Sequence, residues 1–176
     1  MSLKTTNTPK KEYPILAEGQ HTAICVQVID LWNQFNKFNE NYQHKVKLVW
    51  ETPDEKTVFT EEKWEQPFMV SADYTLSLAD LSNLKPILES WRGKTFTEEE
   101  KDGFDIWSIL WQACLIQVVH NKNKDGTKTF ANIQNLMRLP KWMTVPKATN
   151  PLILFDIDNW NQETFDSLPK FIQDKM

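Results

Sequence analysis

Glycine is scarce in this chain, four in 176 residues, and cysteine is scarcer, only Cys25 and Cys114. The first shortage excludes a collagen-like chain, and 40% hydrophobic with 25% charged residues excludes a wholly disordered one. The second excludes a disulfide framework and a paired-cysteine zinc site, so both thiols are expected to be buried and reduced. No apolar run approaches the ~20 residues of a membrane-crossing helix, and the polar start, Met1 to Lys11, has no apolar stretch behind its lysines. A cytoplasmic protein with no membrane partner is the expectation. Catalytic wording is also missing: there is no Gly-rich phosphate loop, Gly-x-Ser-x-Gly elbow, His-Glu-x-x-His or Cys-x-x-Cys. His21, His44 and His120 fall on separate elements, so no catalytic residue, metal site or cofactor is expected. Asp156 and Asp158 keep a metal-dependent nuclease open as a third reading.

Aromatic residues, by contrast, are plentiful. Eight Trp, ten Phe and three Tyr make up 12% of the chain, more than one core of this size needs, so some rings are expected on a binding surface. The net charge of −4 argues against a phosphate binder taken as a total, but the charges are sorted. Segment 32–50 sets Lys37, Lys45 and Lys47 against Glu40, and 106–149 sets Lys122, Lys124, Lys128, Arg138, Lys141 and Lys147 against Asp125. Acid dominates 51–65, 98–105 and the tail from 150 to 176.

The length suits a single domain. Residues 1–18 read as a flexible lead-in, 19–149 as the folded body and 150–176 as an acidic amphipathic tail. Alternating β-branched residues predict strands at His21–Leu31, Lys45–Trp50 and Phe68–Leu78. The Asn-rich stretch Trp32 to Tyr42 reads as a connection, and 51–65 as a long acidic loop. Ser82, the spacing of Leu84, Leu88 and Trp91, and Gly93 mark a capped helix. Thr97 ahead of three glutamates marks a second, short one. Cys114–His120 and Thr129–Ile133 flank an Asp125-Gly126 hairpin turn, the last strand continuing through a kink or bulge to Leu139. Mainly β, with a helix between strands three and four, is the layout of a five-stranded OB-fold-like Greek-key barrel.

Such barrels bind single strands across strands two and three, walled by the 1–2 and 4–5 connections. The expected DNA-binding residues are therefore Trp32, Phe35, Lys37, Phe38, Tyr42, Lys45, Lys47, Lys122, Lys124, Lys128 and Phe130. Val46, Leu48 and Trp50 would face the core, with Lys45 and Lys47 on the opposite face. Phe165, Leu168, Phe171 and Ile172 stand at helical spacing in the tail, as a peptide that docks on a partner protein or folds back on its own barrel. An acidic tail seated in the basic groove would compete with DNA, and its deletion would then tighten binding.

From Tyr74-Thr75-Leu76-Ser77-Leu78 onward the chain resembles a family of phage- and prophage-encoded, replication-associated single-stranded-DNA-binding proteins. The resemblance rests on Trp91-Arg92-Gly93-Lys94, Phe96-Thr97, Phe104-Asp105, Val119-His120, Thr129 to Ile133, Leu139-Pro140, Asn150-Pro151, Phe155-Asp156 and Leu168 to Gln173. It implies a non-enzymatic protein of phage DNA replication or recombination that coats exposed single strands. The alternative is an interaction protein that holds a helicase, primase or recombinase with little DNA contact. A homodimer through open sheet edges is a further expectation.

Overall fold

β-Branched and aliphatic residues dominate the stretch after Gly19, and they build a single long strand, β1 (Gly19–Asn36). The computed structural model describes residues 12–176. The other strands are β2 (Asn41–Thr57), β3 (Gln66–Thr75), β4 (Ala113–Lys122), β5 (Thr129–Arg138) and the short β6 (Ile153–Phe155). Helices α1 (Leu84–Arg92) and α2 (Glu98–Lys101) lie between β3 and β4, and α3 (Gln162–Ser167) and α4 (Lys170–Gln173) follow β6. The sheet order is β3-β2-β1-β4-β5, antiparallel throughout, with β6 added parallel to β1. The two ends, β3 and β5, touch without pairing, so the sheet curls but stays open.

β1 serves two neighbours because it is long: Gly19 to Ile24 pair with β4, and Ile24 to Asn36 with β2. A bulge at Val26 resets the alternation, so Cys25 and Val28 face the same core. That core also holds Val46, Leu48, Trp50, Leu88 and Trp91. The expected inward face of the second strand is the one observed. Trp91 Nε1 donates to the Ala113 carbonyl at 2.9 Å, pinning α1 to the start of β4. Gly93, at φ 75°, ends the helix with its N–H on the Glu89 carbonyl. Thr97 and Glu100 form a reciprocal capping box, and Arg92 reaches Glu100 at 3.0 Å while lying 4.2 Å over the Phe96 ring. These contacts account for the Trp-Arg-Gly cluster without a ligand. Burial raises the Cys25 thiol to about 12 and the Cys114 thiol well above its usual value, as inert core cysteines require.

Several boundaries differ from the sequence reading. The Asn-rich connection is a β-hairpin arm: β1 and β2 stay paired out to Asn36 and Asn41, leaving a turn at 37–40. Cross-strand hydrogen bonds and the Phe35–Tyr42 pair outweigh the turn preference of asparagine. The acidic stretch begins as strand, since Glu51 to Thr57 belong to β2. Residues 1–11 of the lead-in lie outside the described residues. Its remainder is tied down: Leu16 is buried, its carbonyl accepts from His120 Nε2 at 2.7 Å, and Glu18 accepts from the His120 N–H. No helix among the described residues is long and apolar enough to cross a membrane.

Candidate nucleic-acid interface

The arm displays its rings to water. Trp32 is 43% exposed, Phe35 54%, Phe38 97% and Tyr42 72%. Local chemistry makes the arm stiff. An extra residue in β1 between Asp30 and Asn33 puts Trp32 at φ 61°, and the buried Asp30 carboxylate holds it there by accepting from the Trp32 N–H at 2.8 Å. The same oxygen accepts from His44 Nε2 at 2.6 Å. Phe35 and Tyr42 sit opposite each other in a T-shaped contact at 5.4 Å. At the tip, Asn36 Oδ1 accepts from the Phe38 N–H at 2.9 Å, and Glu40 takes a left-handed conformation to close the turn beside exposed Lys37.

The β4–β5 hairpin carries the second set. Gly126, at φ 70°, and Asp125, which accepts from both Thr127 donors, shape the turn that the Asp-Gly pair predicts. Lys122, Lys124 and Lys128 are exposed, with no ion pair among the described residues. Phe130 is half-exposed beneath the Lys128 ammonium, 5.0 Å from the ring centre. Because β1 and β4 are antiparallel, this hairpin leaves past Gly19 while the arm leaves past the other end of β1. The two sets bracket the sheet from opposite ends instead of sharing one loop cluster.

Lys45 and Lys47 are a different matter. Lys45 Nζ donates to Thr75 Oγ1 at 2.6 Å, and the Lys47 side chain, 7% exposed, pairs with Asp73. Lys175 reaches the other Asp73 oxygen at 2.9 Å. Burial alone would raise the Asp73 carboxyl, but the two ammonium groups outweigh it and hold it below its ordinary value. Lys47 is thus an internal cation, unavailable to a phosphate, and a glutamate there would place like charges together. The sequence showed the alternation correctly; it did not show that the outward face has a cover.

That cover is the chain's own C-terminal segment. Ala148 packs on Ile24, Val26 and Val49. The fully buried Glu51 accepts from the Thr149 N–H at 2.6 Å, the Asn150 N–H at 2.9 Å and the Asn150 side-chain amide at 2.8 Å. β6 then runs beside Gln27 to Ile29 of β1, and Phe155, Leu168 and Ile172 close over Ile29 and Leu31. Of the four tail residues expected to meet a partner, Leu168 and Ile172 are buried here, Phe165 is partly buried against Phe155 and Trp160, and only Phe171 is exposed. The self-docked alternative is the one observed. Residues 150–176 therefore belong to the folded body, and deleting them would uncover Ile29 and Leu31, so their loss acts on the fold before it can act on affinity.

Sequence reasoning passed over Trp111, Arg138 and Lys141, which meet at a groove beside α1. The lysine and arginine lay in the basic 106–149 zone, but nothing in the spacing joined them to a tryptophan so far upstream. Among the described residues, no group of three or more His, Cys, Asp or Glu side chains is arranged to hold a metal ion. No family model matches the chain, and no curated protein matches it.

Proposed function

We propose that this protein binds single-stranded DNA without catalysis and with little sequence preference, in phage DNA replication or recombination. The observation that carries the reading is the arm, where four rings stand exposed on a paired ribbon. Exposed aromatic faces stack on any base for ~1–3 kcal/mol each, and lysines without carboxylate partners release counterions on meeting phosphates. We read the curled sheet as an OB-fold barrel. Three features support this: β1 shared between β2 and β4, the helical insert before β4, and the contact of β3 with β5. In this reading the arm is an extended 1–2 connection, the β4–β5 hairpin is the opposite wall, and the strand passes outside the covered face. Fluorescence anisotropy with labelled oligo-dT at two salt concentrations tests it. Micromolar or tighter binding that weakens steeply with salt, and is lost in a Lys122, Lys124, Lys128→Glu triple variant, is the expected result. No binding at low salt ends the proposal.

One observation favours a second reading, a phage replication protein that holds a helicase, primase or recombinase. The arm's turn carries a single lysine, Lys37, balanced by Glu40, so its tip is nearly neutral and presents the exposed Phe38, as suits a protein partner. Binding to such a partner, insensitive to salt and lost on arm truncation, with no oligo-dT binding, would select this reading.

A further inference from the structure

A groove of about 570 Å³ lies where α1, the 104–113 segment and the residues after β5 meet. This is the size of a site for one small ligand (~300–1,000 Å³). Its floor is apolar, from Leu88, Trp91 and Ile109, and its rim carries Trp111, Arg138 and Lys141. Trp111 is 64% exposed and held at φ 66°, a conformation costly to any residue with a side chain. Its N–H donates to the Cys25 carbonyl at 2.7 Å, and the Cys25 N–H donates to the Gln112 carbonyl at 3.0 Å, so two backbone bonds to β1 fix the main chain that carries the indole. The other tryptophan with positive φ is Trp32 of the arm, also exposed. Arg92 is engaged by Glu100, but Arg138 and Lys141 have no carboxylate partner among the described residues. Gly93, at the end of α1, lies beside Arg138: a Cβ there would stand 3.5 Å from the arginine Cδ, in ordinary contact.

An exposed indole on an anchored backbone beside an apolar floor, with two unpaired cations on the rim, suits a flat ring that bears an anion. We infer that the groove seats one unstacked nucleotide of a bound single strand, its base on Trp111 and its phosphate between Arg138 and Lys141. The inference rests on the single-strand reading and adds a site to it at the opposite end of β4 and β5 from their hairpin. The acidic C-terminal segment is no competitor, being seated against Ile29 and Leu31 of β1.

The test uses the full chain and oligo-dT carrying 5-bromodeoxyuridine, irradiated and mapped by mass spectrometry, beside anisotropy titrations of Trp111→Ala and an Arg138→Ala, Lys141→Ala double variant. Circular dichroism melts establish that both variants remain folded. The expected results are a crosslink on the peptide bearing Trp111, about a tenfold loss of affinity in Trp111→Ala, and a salt slope lowered by about 0.7, for the one phosphate, in the double variant. Unchanged affinity and slope in both, with the wild type binding and crosslinks confined to the arm, overturn the groove and leave the single-strand reading standing. Absence of wild-type binding overturns both. An acidic, phenylalanine-bearing peptide that binds the groove and is not displaced by oligo-dT would overturn the nucleotide site in favour of a peptide one.

Discussion

Around Ile29 and Lys47 the outer face of the β1–β2 ribbon is sealed beneath the C-terminal segment, whereas at Phe35 and Tyr42 the same ribbon stands bare. Their compositions differ, Val, Ile and Leu dominating the first stretch and Asn with aromatic rings the second, although both include lysine. They differ also in whether another part of the chain returns to cover them. Where it returns, charge is internal and satisfied, by an ion pair for Lys47 with Asp73 and by backbone N–H donors for Glu51. Where it does not, rings are left over for a ligand. A basic or aromatic strand face is thus a binding surface only if nothing in the chain has already claimed it.

Substitutions should separate the two regions sharply. Glu51→Ala leaves the Thr149 and Asn150 donors without an acceptor, and a loss of about 3 kcal/mol in urea unfolding is expected; a change near zero would mean that the 148–150 crossing contributes little to the cover. Asp73→Asn strands a buried lysine and should cost about 2 kcal/mol, below the value for a fully buried pair because Asp73 retains some solvent contact. Lys47→Met, which removes the charge instead of its partner, should cost much less and leave oligo-dT affinity unchanged; weakened affinity would restore Lys47 to the interface.

Acid should loosen the cover in a defined window. The folded Asp73 carboxyl lies below its ordinary value of 3.8, so its contribution is complete above that value and is lost as pH falls through the lowered one. Amides of α4 should therefore exchange faster with deuterium at about pH 2.5 than at about pH 5, after correction for intrinsic rates. Asp80 and Glu100, each held at about 2 by neighbouring cations, act in the same direction around α2. The smallest effect on stability belongs to the arm: Phe35→Ala or Tyr42→Ala should cost about 0.5 kcal/mol or less while lowering oligo-dT affinity about tenfold. An arm variant that unfolds the protein would make the rings structural.

Much of the fold was legible because its signals are local. The alternation in His21–Leu31, the caps at Thr97 and Gly93, and the Asp125-Gly126 turn each act within a few residues of themselves, and each has its expected counterpart in the structure. The bulge in the last strand falls at Gln134, skipped between Ile133 and Asn135 in the pairing with β4. The candidate site was legible in part. Its exposed rings follow from an aromatic content too high for one core, but the arm itself was hidden by asparagines that read as loop until a partner strand supplied hydrogen bonds.

By itself the sequence determined the order of β1 to β5 with α1 and α2, the inward face of β2 and the surplus of rings, since these depend on periodicity and short-range sterics. Only the tertiary structure decided which lysines remain free. Lys47 meets Asp73 across 26 positions and Lys175 meets it across 102. Alternation marks two faces of a strand, but what packs on the second depends on where a distant segment comes to rest, and the burial that placement brings determines whether a cation is neutralised inside the fold or left for a phosphate.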